Sequence, residues 1–459
     1  MPETEYDLIV IGSGVASSPA KRCAAEGWKV ALVESRPLGG TCALRGCSPK
    51  KMLRAGAQAM DWIRRMEGRS LVAPGAHLDW QAMREFKNTF TDPVPETDAK
   101  RYAEANVDVY HGWGCFAGRN TIRVRSDDSS ERTLSARKIL LATGGKPRPL
   151  NFPGADCLTS SDDFFDLPEL PRRVTFAGGG YISWEFAHIA ARCGADVTVI
   201  DSHEVPLSGF DAELVRRLVD YSREELGIRF IPNRRVCEIR REDGAYTVCT
   251  NDTANRESQT LATDLVVHGM GRIPFISALN LEEGGVAFGP RGIEVNEYLQ
   301  SPTNPAVYAA GDCTATPGAP LTPVAGAEAA AVFHNLMHGN ERTVSYKATA
   351  SAAFTIPEIA GVGITEVQAR EQGLAFTCNR GDSSQWFSQR HRNEPCAGYA
   401  IVIEEGSRRI LGAHLLGPHA AETINVFALA LGCGTPVPEL RRVRWAYPTS
   451  ASDISSMLR

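Results

Sequence analysis

One short unit occurs twice in this chain and leaves few folds open: an apolar run, a glycine-rich turn, a helix, and a second apolar run that closes on an acidic residue. In the first copy, residues 7–12 (Asp-Leu-Ile-Val-Ile-Gly) read as a buried parallel strand, and Gly12-Ser-Gly14-Val-Ala-Ser17 is the turn into a helix ending near Gly27. A second strand over residues 28–34 ends on Glu34, 22 residues after Gly12. In the second copy, residues 171–177 lead into Gly178-Gly-Gly180-Tyr181-Ile182-Ser183, then a helix with Trp184, Glu185, Phe186 and Ile189, then a strand over 197–200 closing on Asp201. Glycines in such a turn let the backbone approach a pyrophosphate at the helix N-terminus, and the acidic residue accepts bonds from a ribose. A glycine-rich turn without a ligand explains either copy alone but explains both poorly. Two units separated by a proline-rich stretch at 146–153 imply two dinucleotides bound in tandem. At the third glycine position of the first motif stands Ser17, whose hydroxymethyl presses on helix–strand packing. Asp201 repels a 2′-phosphate, and residues 201–208 contain no Arg or Lys to bind one, so NADH is favoured over NADPH; His203 is the one source of positive charge there.

Between these units, residues 39–51 (Gly-Gly40-Thr41-Cys42-Ala-Leu-Arg-Gly-Cys47-Ser-Pro-Lys50-Lys) set two cysteines five apart. Residues so spaced on a regular helix lie about 7.5 Å apart along the axis, whereas a disulfide needs Cα atoms within about 7 Å. A redox pair here therefore requires a distorted segment, which Gly39, Gly40 and Gly46 permit, and Pro49 suits the first turn of a following helix. Cys47 is then expected just before a helix N-terminus, where the dipole stabilises a thiolate. Two unrelated buried cysteines or half a zinc site are the alternatives; no second Cys or His pair at ligand spacing follows, and no metal site is expected.

A chain of 459 residues is too long for one core, and 43% apolar with 22% charged residues is ordinary globular composition. A net charge of −5 gives no reason to expect nucleic acid or an anionic membrane as partner, and no run reaches membrane-spanning length. Twelve cysteines, mostly single and in apolar contexts such as Cys193 and Cys249, suit a reducing, cytoplasmic setting.

With these motifs, and with Ala142-Thr143-Gly144, Gly180-Tyr181-Ile-Ser-Trp-Glu185, Gly271-Arg272-Ile-Pro, Ala310-Gly311-Asp312 and Leu321-Thr322-Pro in order, the chain resembles the flavoprotein disulfide reductases over nearly its whole length. This is the family of glutathione reductase, dihydrolipoamide dehydrogenase and mercuric reductase. The resemblance implies an α/β fold with two Rossmann-like domains, for FAD and NAD(P), and a C-terminal α+β dimerisation domain. It implies a first part of the FAD domain over 1–149, a nicotinamide domain over 150–268, a central second FAD part over 269–342, and an interface domain over 343–459. Antiparallel strand signals at 349–362 and 397–416 and a helix at 420–431 agree. By the same resemblance, FAD takes the first site with Glu34 on its ribose and Asp312 on its ribitol. The nicotinamide takes the second site, and Tyr181 covers the flavin until displaced. Lys50 and Glu185 form an ion pair near the flavin ring, where a cation stabilises the reduced form. Electrons would pass from NAD(P)H through FAD to Cys47 and Cys42, with Cys47 facing the flavin and Cys42 the acceptor, in a homodimer.

One departure bears on chemistry. Disulfide-reducing members carry His-Pro near the C-terminus with a Glu five residues after the His; here those positions hold Tyr447 and Ser452. A phenol titrates near pH 10 and an imidazole near about 6.5, so a phenol is a hydrogen-bond donor rather than a base at neutral pH. Asp453, one residue on, is expected to cap a short helix or to orient Tyr447. Val15 replaces the serine that glutathione reductases place in the phosphate turn, although Arg22 remains at a position they use for glutathione, and no C-terminal cysteine pair of the mercuric type is present. His414, His419 and Glu422 are expected to group at a domain interface. The acceptor is thus a disulfide, a soft metal ion or a quinone-like oxidant, with a low-turnover redox sensor as the rival reading.

Overall fold

Successive side chains of the strand Tyr6–Ile11 point to opposite faces, so Ile9 and Ile11 enter one core while Leu8 and Val10 enter another. That alternation organises the first of two units in the computed structural model, which describes residues 5–242 and 244–459. The unit comprises Met1–Pro49, Phe86–Arg148 and Arg272–Tyr346. Its parallel strands run in the order Val107–His111, Val30–Glu34, Tyr6–Ile11, Glu131–Leu141 and Val307–Ala309. Glu131–Leu141 serves two sheets. Residues 131–135 pair antiparallel with Thr121–Arg125, and residues 136–141 pair parallel with the first strand. Pro19–Ala25 and Thr322–His338 pack residues such as Ala20, Cys23, Val332 and Leu336 into the core that holds Leu8 and Val10. The second strand is two residues shorter than its apolar pattern suggests, and the first helix ends at Ala25.

The other unit comprises Lys50–Glu85, Pro149–Gly271 and Lys347–Arg459. Four parallel strands, Arg229–Ile231, Asp196–Ile200, Arg173–Ala177 and Leu265–His268, form its nucleotide-type sheet. The helix Tyr181–Arg192 packs Trp184, Phe186 and Ile189 onto Phe164, Phe176 and Val199. A three-stranded antiparallel ribbon, Arg234–Glu242, Ala245–Asp252 and Ser258–Thr263, covers Ile200 and Val266 through Val236, Ile239 and Val248. The C-terminal segment forms a five-stranded antiparallel sheet, ordered Ser351–Ala353, Glu358–Gly363, Ile410–Gly417, Gly398–Glu404, Phe376–Asp382, with Ala420–Cys433 packed on it through Ile424 and Phe427. Among the described residues, no helix is long and apolar enough to cross a membrane.

Candidate active site

The first glycine turn is closed to a side chain at its first glycine. Gly12 has φ +102°, and a Cβ there would lie 2.4 Å from the carbonyl oxygen of Ala142. Gly14 caps a single 3-10 turn, Val15–Ser17, rather than a regular helix. The Ser17 hydroxyl donates to the Gly14 carbonyl at 2.7 Å and meets the Tyr102 hydroxyl at 3.0 Å. The crowding expected from Ser17 is therefore absorbed by tightening the turn and bonding the hydroxyl. Glu34, at the end of its strand, accepts from the Ser13 amide at 2.8 Å and the Ser13 hydroxyl at 2.7 Å.

The redox segment sits directly on this turn, because a Cβ on Gly40 (φ +70°) would lie 2.4 Å from the Gly14 Cα. Gly40–Leu44, carrying Thr41 and Cys42, is a short helix; the chain breaks at Arg45 and Gly46, and Cys47–Met66 follows. Cys47 is the first residue of that helix, not the residue before it as its sequence suggests. The interruption brings both sulfurs to one hydroxyl: Thr322 Oγ1 donates to Cys42 Sγ at 3.2 Å and lies 3.5 Å from Cys47 Sγ. Both cysteines are thiols in this structure. The Cys42 thiol is held above its ordinary value, first by its hydrogen bond to Cys47 and then by burial, and Cys47 carries the more exposed sulfur. Thr322 begins the helix that Leu321 precedes.

Around this dithiol the same unit gathers the remaining motif residues. Gly144 (φ +67°) accepts from the Phe275 amide at 2.8 Å, beside buried Ala142 and half-buried Thr143, and Arg272 donates to the Gly145 carbonyl. The Gly311 amide donates to Glu328 at 2.7 Å, and burial pushes the Asp312 carboxyl up, opposed by Arg272. Sequence reasoning passed over three of these supports. Ser13 ties Glu34 to the turn, Tyr102 receives Ser17, and Glu328 binds Gly311, Thr316 and Tyr346. Only Glu328 left a trace, as a lone carboxylate in the Ala-rich helix 322–338.

The second unit repeats the backbone pattern with different side-chain support. A Cβ on Gly178 (φ +104°) would lie 2.3 Å from the Gly269 carbonyl oxygen, and Gly180 caps a regular helix whose first residues are Tyr181 and Ile182. A Cβ on Gly179 would lie 2.0 Å from Asp201 Oδ2, so that carboxylate stands directly against the turn. Asp201 Oδ1 accepts from the His203 amide at 3.1 Å and lies 2.9 Å from His203 Nδ1. Arg234, adjoining Asp201 by a backbone bond, directs its guanidinium to Glu257 instead. Gly271 has φ +95°.

Lys50 and Glu185 meet here. Their ion pair is 2.8 Å long with side chains only 11% and 2% exposed, and the ammonium lies 4.9 Å from the centre of the Tyr181 ring, which is 43% exposed. Tyr447 is 77% exposed and stacks on Phe387 with ring centres 6.3 Å apart. Ser452, at the Glu position, joins Thr449 in a local capping box. Asp453 does neither thing expected of it: it precedes the helix Ile454–Met457, but its carboxylate accepts from the Ser388 hydroxyl instead of capping or reaching Tyr447. Of His414, His419 and Glu422 only the last two adjoin, the Glu422 amide donating to the His419 carbonyl at 3.1 Å; His414 faces the Ile364 carbonyl and His419 lies against Arg392.

The family model "Pyridine nucleotide-disulphide oxidoreductase" matches residues 6–329, and its dimerisation-domain model matches residues 349–458. A glutathione reductase of Yarrowia lipolytica is 30% identical, with 98% of each chain covered. A mercuric reductase of Streptomyces lividans is 33% identical, covering 98% of this chain and 94% of its own. The Cu(II) complex of the HOCl-induced flavoprotein disulfide reductase RclA from Escherichia coli is similar in structure, with TM-score 0.88, 25% identity and 99% of each chain covered. Two glycine cradles, a convergent dithiol and full-length likeness lead to one conclusion: this chain belongs to the pyridine nucleotide-disulphide oxidoreductases, NAD(P)H-dependent flavoproteins.

Proposed function

We propose that the protein carries electrons from NADH through FAD to the Cys42–Cys47 pair and on to a small oxidised acceptor, as a homodimer in the cytoplasm. The carrying observation is the convergence of both sulfurs on Thr322 beside a turn that admits no side chain at Gly12 or Gly40. The residues fit FAD chemically: a Cβ on Gly14 would meet nothing nearer than 3.9 Å, which leaves the backbone there open to a pyrophosphate, Glu34 is a fixed acceptor for a ribose, and Asp312 is a second, half-buried acceptor. Ser17, Thr41, Ala142, Thr143, Gly144, Arg272, Gly311, Leu321 and Thr322 frame that cradle. When bound, FAD supplies two-electron transfer between a nicotinamide and a disulfide.

The chain's own residues do the rest. Cys47, exposed at the start of a 20-residue helix, is the sulfur best placed to carry negative charge. Lys50, fixed by Glu185, supplies a cation for charge that develops on reduction. Gly178, Gly180, Tyr181, Ile182, Asp201 and Gly271 are the proposed nicotinamide-dinucleotide residues. The carboxylate at Asp201, with Arg234 turned to Glu257, supports NADH over NADPH. The match to the dimerisation domain supports the homodimer, and buried single cysteines such as Cys23 and Cys313 support a reducing compartment. We keep 1–149, 150–268, 269–342 and 343–459 as the functional segments.

Tyr447 favours a second reading of the acceptor. Its exposed phenol stacks on Phe387 where disulfide reductases keep an imidazole base, which supports a soft metal ion or quinone as acceptor over a disulfide. The mercuric reductase and Cu(II)-complexed relatives point the same way. Steady-state NADH oxidation against oxidised glutathione, Cu(II), Hg(II) and a benzoquinone tests both readings. The account expects metal or quinone turnover above disulfide turnover, and Tyr447→His to raise disulfide turnover. If no acceptor accelerates NADH oxidation, the low-turnover sensor reading replaces it.

A further inference from the structure

The ribbon of the second unit carries two cysteines that the proposed electron path does not use. Along strands Arg234–Glu242 and Ala245–Asp252, Val236 pairs with Thr250 and Glu238 pairs with Cys249, so the register slips by one residue at Cys237. This is a bulge: Cys237 and Glu238 together lie opposite the single residue Cys249. The paired residues Glu238 and Cys249 have Cα atoms about 4.5–5.5 Å apart in such a ladder, and Cys237 adjoins that pair as the extra residue of the bulge. The Cys237 thiol already points across the ribbon, donating to the Cys249 carbonyl at 3.4 Å. Glu238 bonds the Cys249 thiol and is itself gripped by Arg240 at 2.9 and 2.8 Å. Cys237 is partly exposed and Cys249 is buried.

We propose that Cys237 and Cys249 are a second, oxidisable dithiol that closes into a cross-strand disulfide under peroxide. In the first step the Cys237 thiol takes oxygen from hydrogen peroxide, giving a sulfenic acid and water. In the second, Glu238 takes the Cys249 proton, the Cys249 sulfur attacks the Cys237 sulfur, the S–S bond forms as the S–O bond breaks, and the hydroxyl leaves as water on receiving that proton from Glu238. The order follows from exposure, since peroxide reaches Cys237 first, while Cys249 is buried beside it; burial pushes the Cys249 thiol up, so the closing step needs Glu238 to take its proton as the sulfur attacks.

The test uses the full-length protein, reduced, freed of reductant, treated with hydrogen peroxide, alkylated under denaturing conditions and digested without reduction. A linked peptide joining residues 237 and 249, separate from that joining 42 and 47 and reopened by dithiothreitol, is the expected result. Cys237→Ser should abolish that peptide, leave Cys249 alkylated and leave NADH reduction of the flavin unchanged, which shows the fold intact. Cys249→Ala should leave Cys237 as a sulfenic acid captured by dimedone. Recovery of both Cys237 and Cys249 alkylated while Cys42–Cys47 is linked, or a Cys237 sulfenic acid that persists in the unsubstituted protein after peroxide is removed with no linked peptide formed, overturns the proposal.

Discussion

The two glycine turns are built on one backbone plan and held by opposite means. Each opens with a positive-φ glycine against a carbonyl, Gly12 on Ala142 and Gly178 on Gly269, and each has serine at the third position. In the first turn that serine is bonded twice, to Gly14 and Tyr102, and the helix begins with a 3-10 turn. In the second, Ser183 is fully buried, its hydroxyl has no partner among the described residues, and a Cβ on Gly269 would lie 1.9 Å from it. Here a regular helix starts at once, and its buried charge is satisfied one turn further on, by Lys50 on Glu185. The same local motif thus rests on polar side chains in one unit and on close packing plus one ion pair in the other.

Several substitutions test that contrast. The largest effect is expected from Lys50→Met, which strands the buried Glu185 carboxylate and should cost about 3–5 kcal/mol, read as a lower denaturation midpoint. Gly12→Ala and Gly178→Ala each force an L-residue into a left-handed conformation at about 1–3 kcal/mol before overlap is counted. They should differ in function: the first protein is expected colourless, the second yellow but not reduced by NADH. A colourless Gly178→Ala protein would break the assignment of the two sites. The serines should differ in sign. Ser17→Ala loses two hydrogen bonds, about 1 kcal/mol or somewhat more, whereas Ser183→Ala removes an unpaired buried hydroxyl and should leave stability unchanged or raise it. Equal losses at both would erase the distinction. The smallest effect is expected from Tyr447→His, within about 0.5 kcal/mol in stability, because the ring is exposed; its consequence belongs to turnover.

What could be read from sequence follows the same division. Glycine turns and the Gly40-Thr41-Cys42 segment were legible because backbone approach demands glycine at fixed local spacing. Lys50 with Glu185 was legible only through the family motif, since 135 positions separate them. The Ser13–Glu34 bond, the seat of Ser17 on Tyr102 and the hold of Glu328 on Gly311 were hidden, because each depends on which strand lies beside which. Asp453 shows the converse: local spacing suggested a cap, and the side chain found Ser388, 65 residues away, instead.

The central claim is that Cys42 and Cys47 are in the electron path. Anaerobic titration of the purified protein with NADH, and separately NADPH, while the flavin spectrum is followed, tests it most directly. The account predicts uptake of two electrons with a long-wavelength thiolate-to-flavin charge-transfer band, reached more readily with NADH. Direct bleaching of the flavin without that band would contradict it.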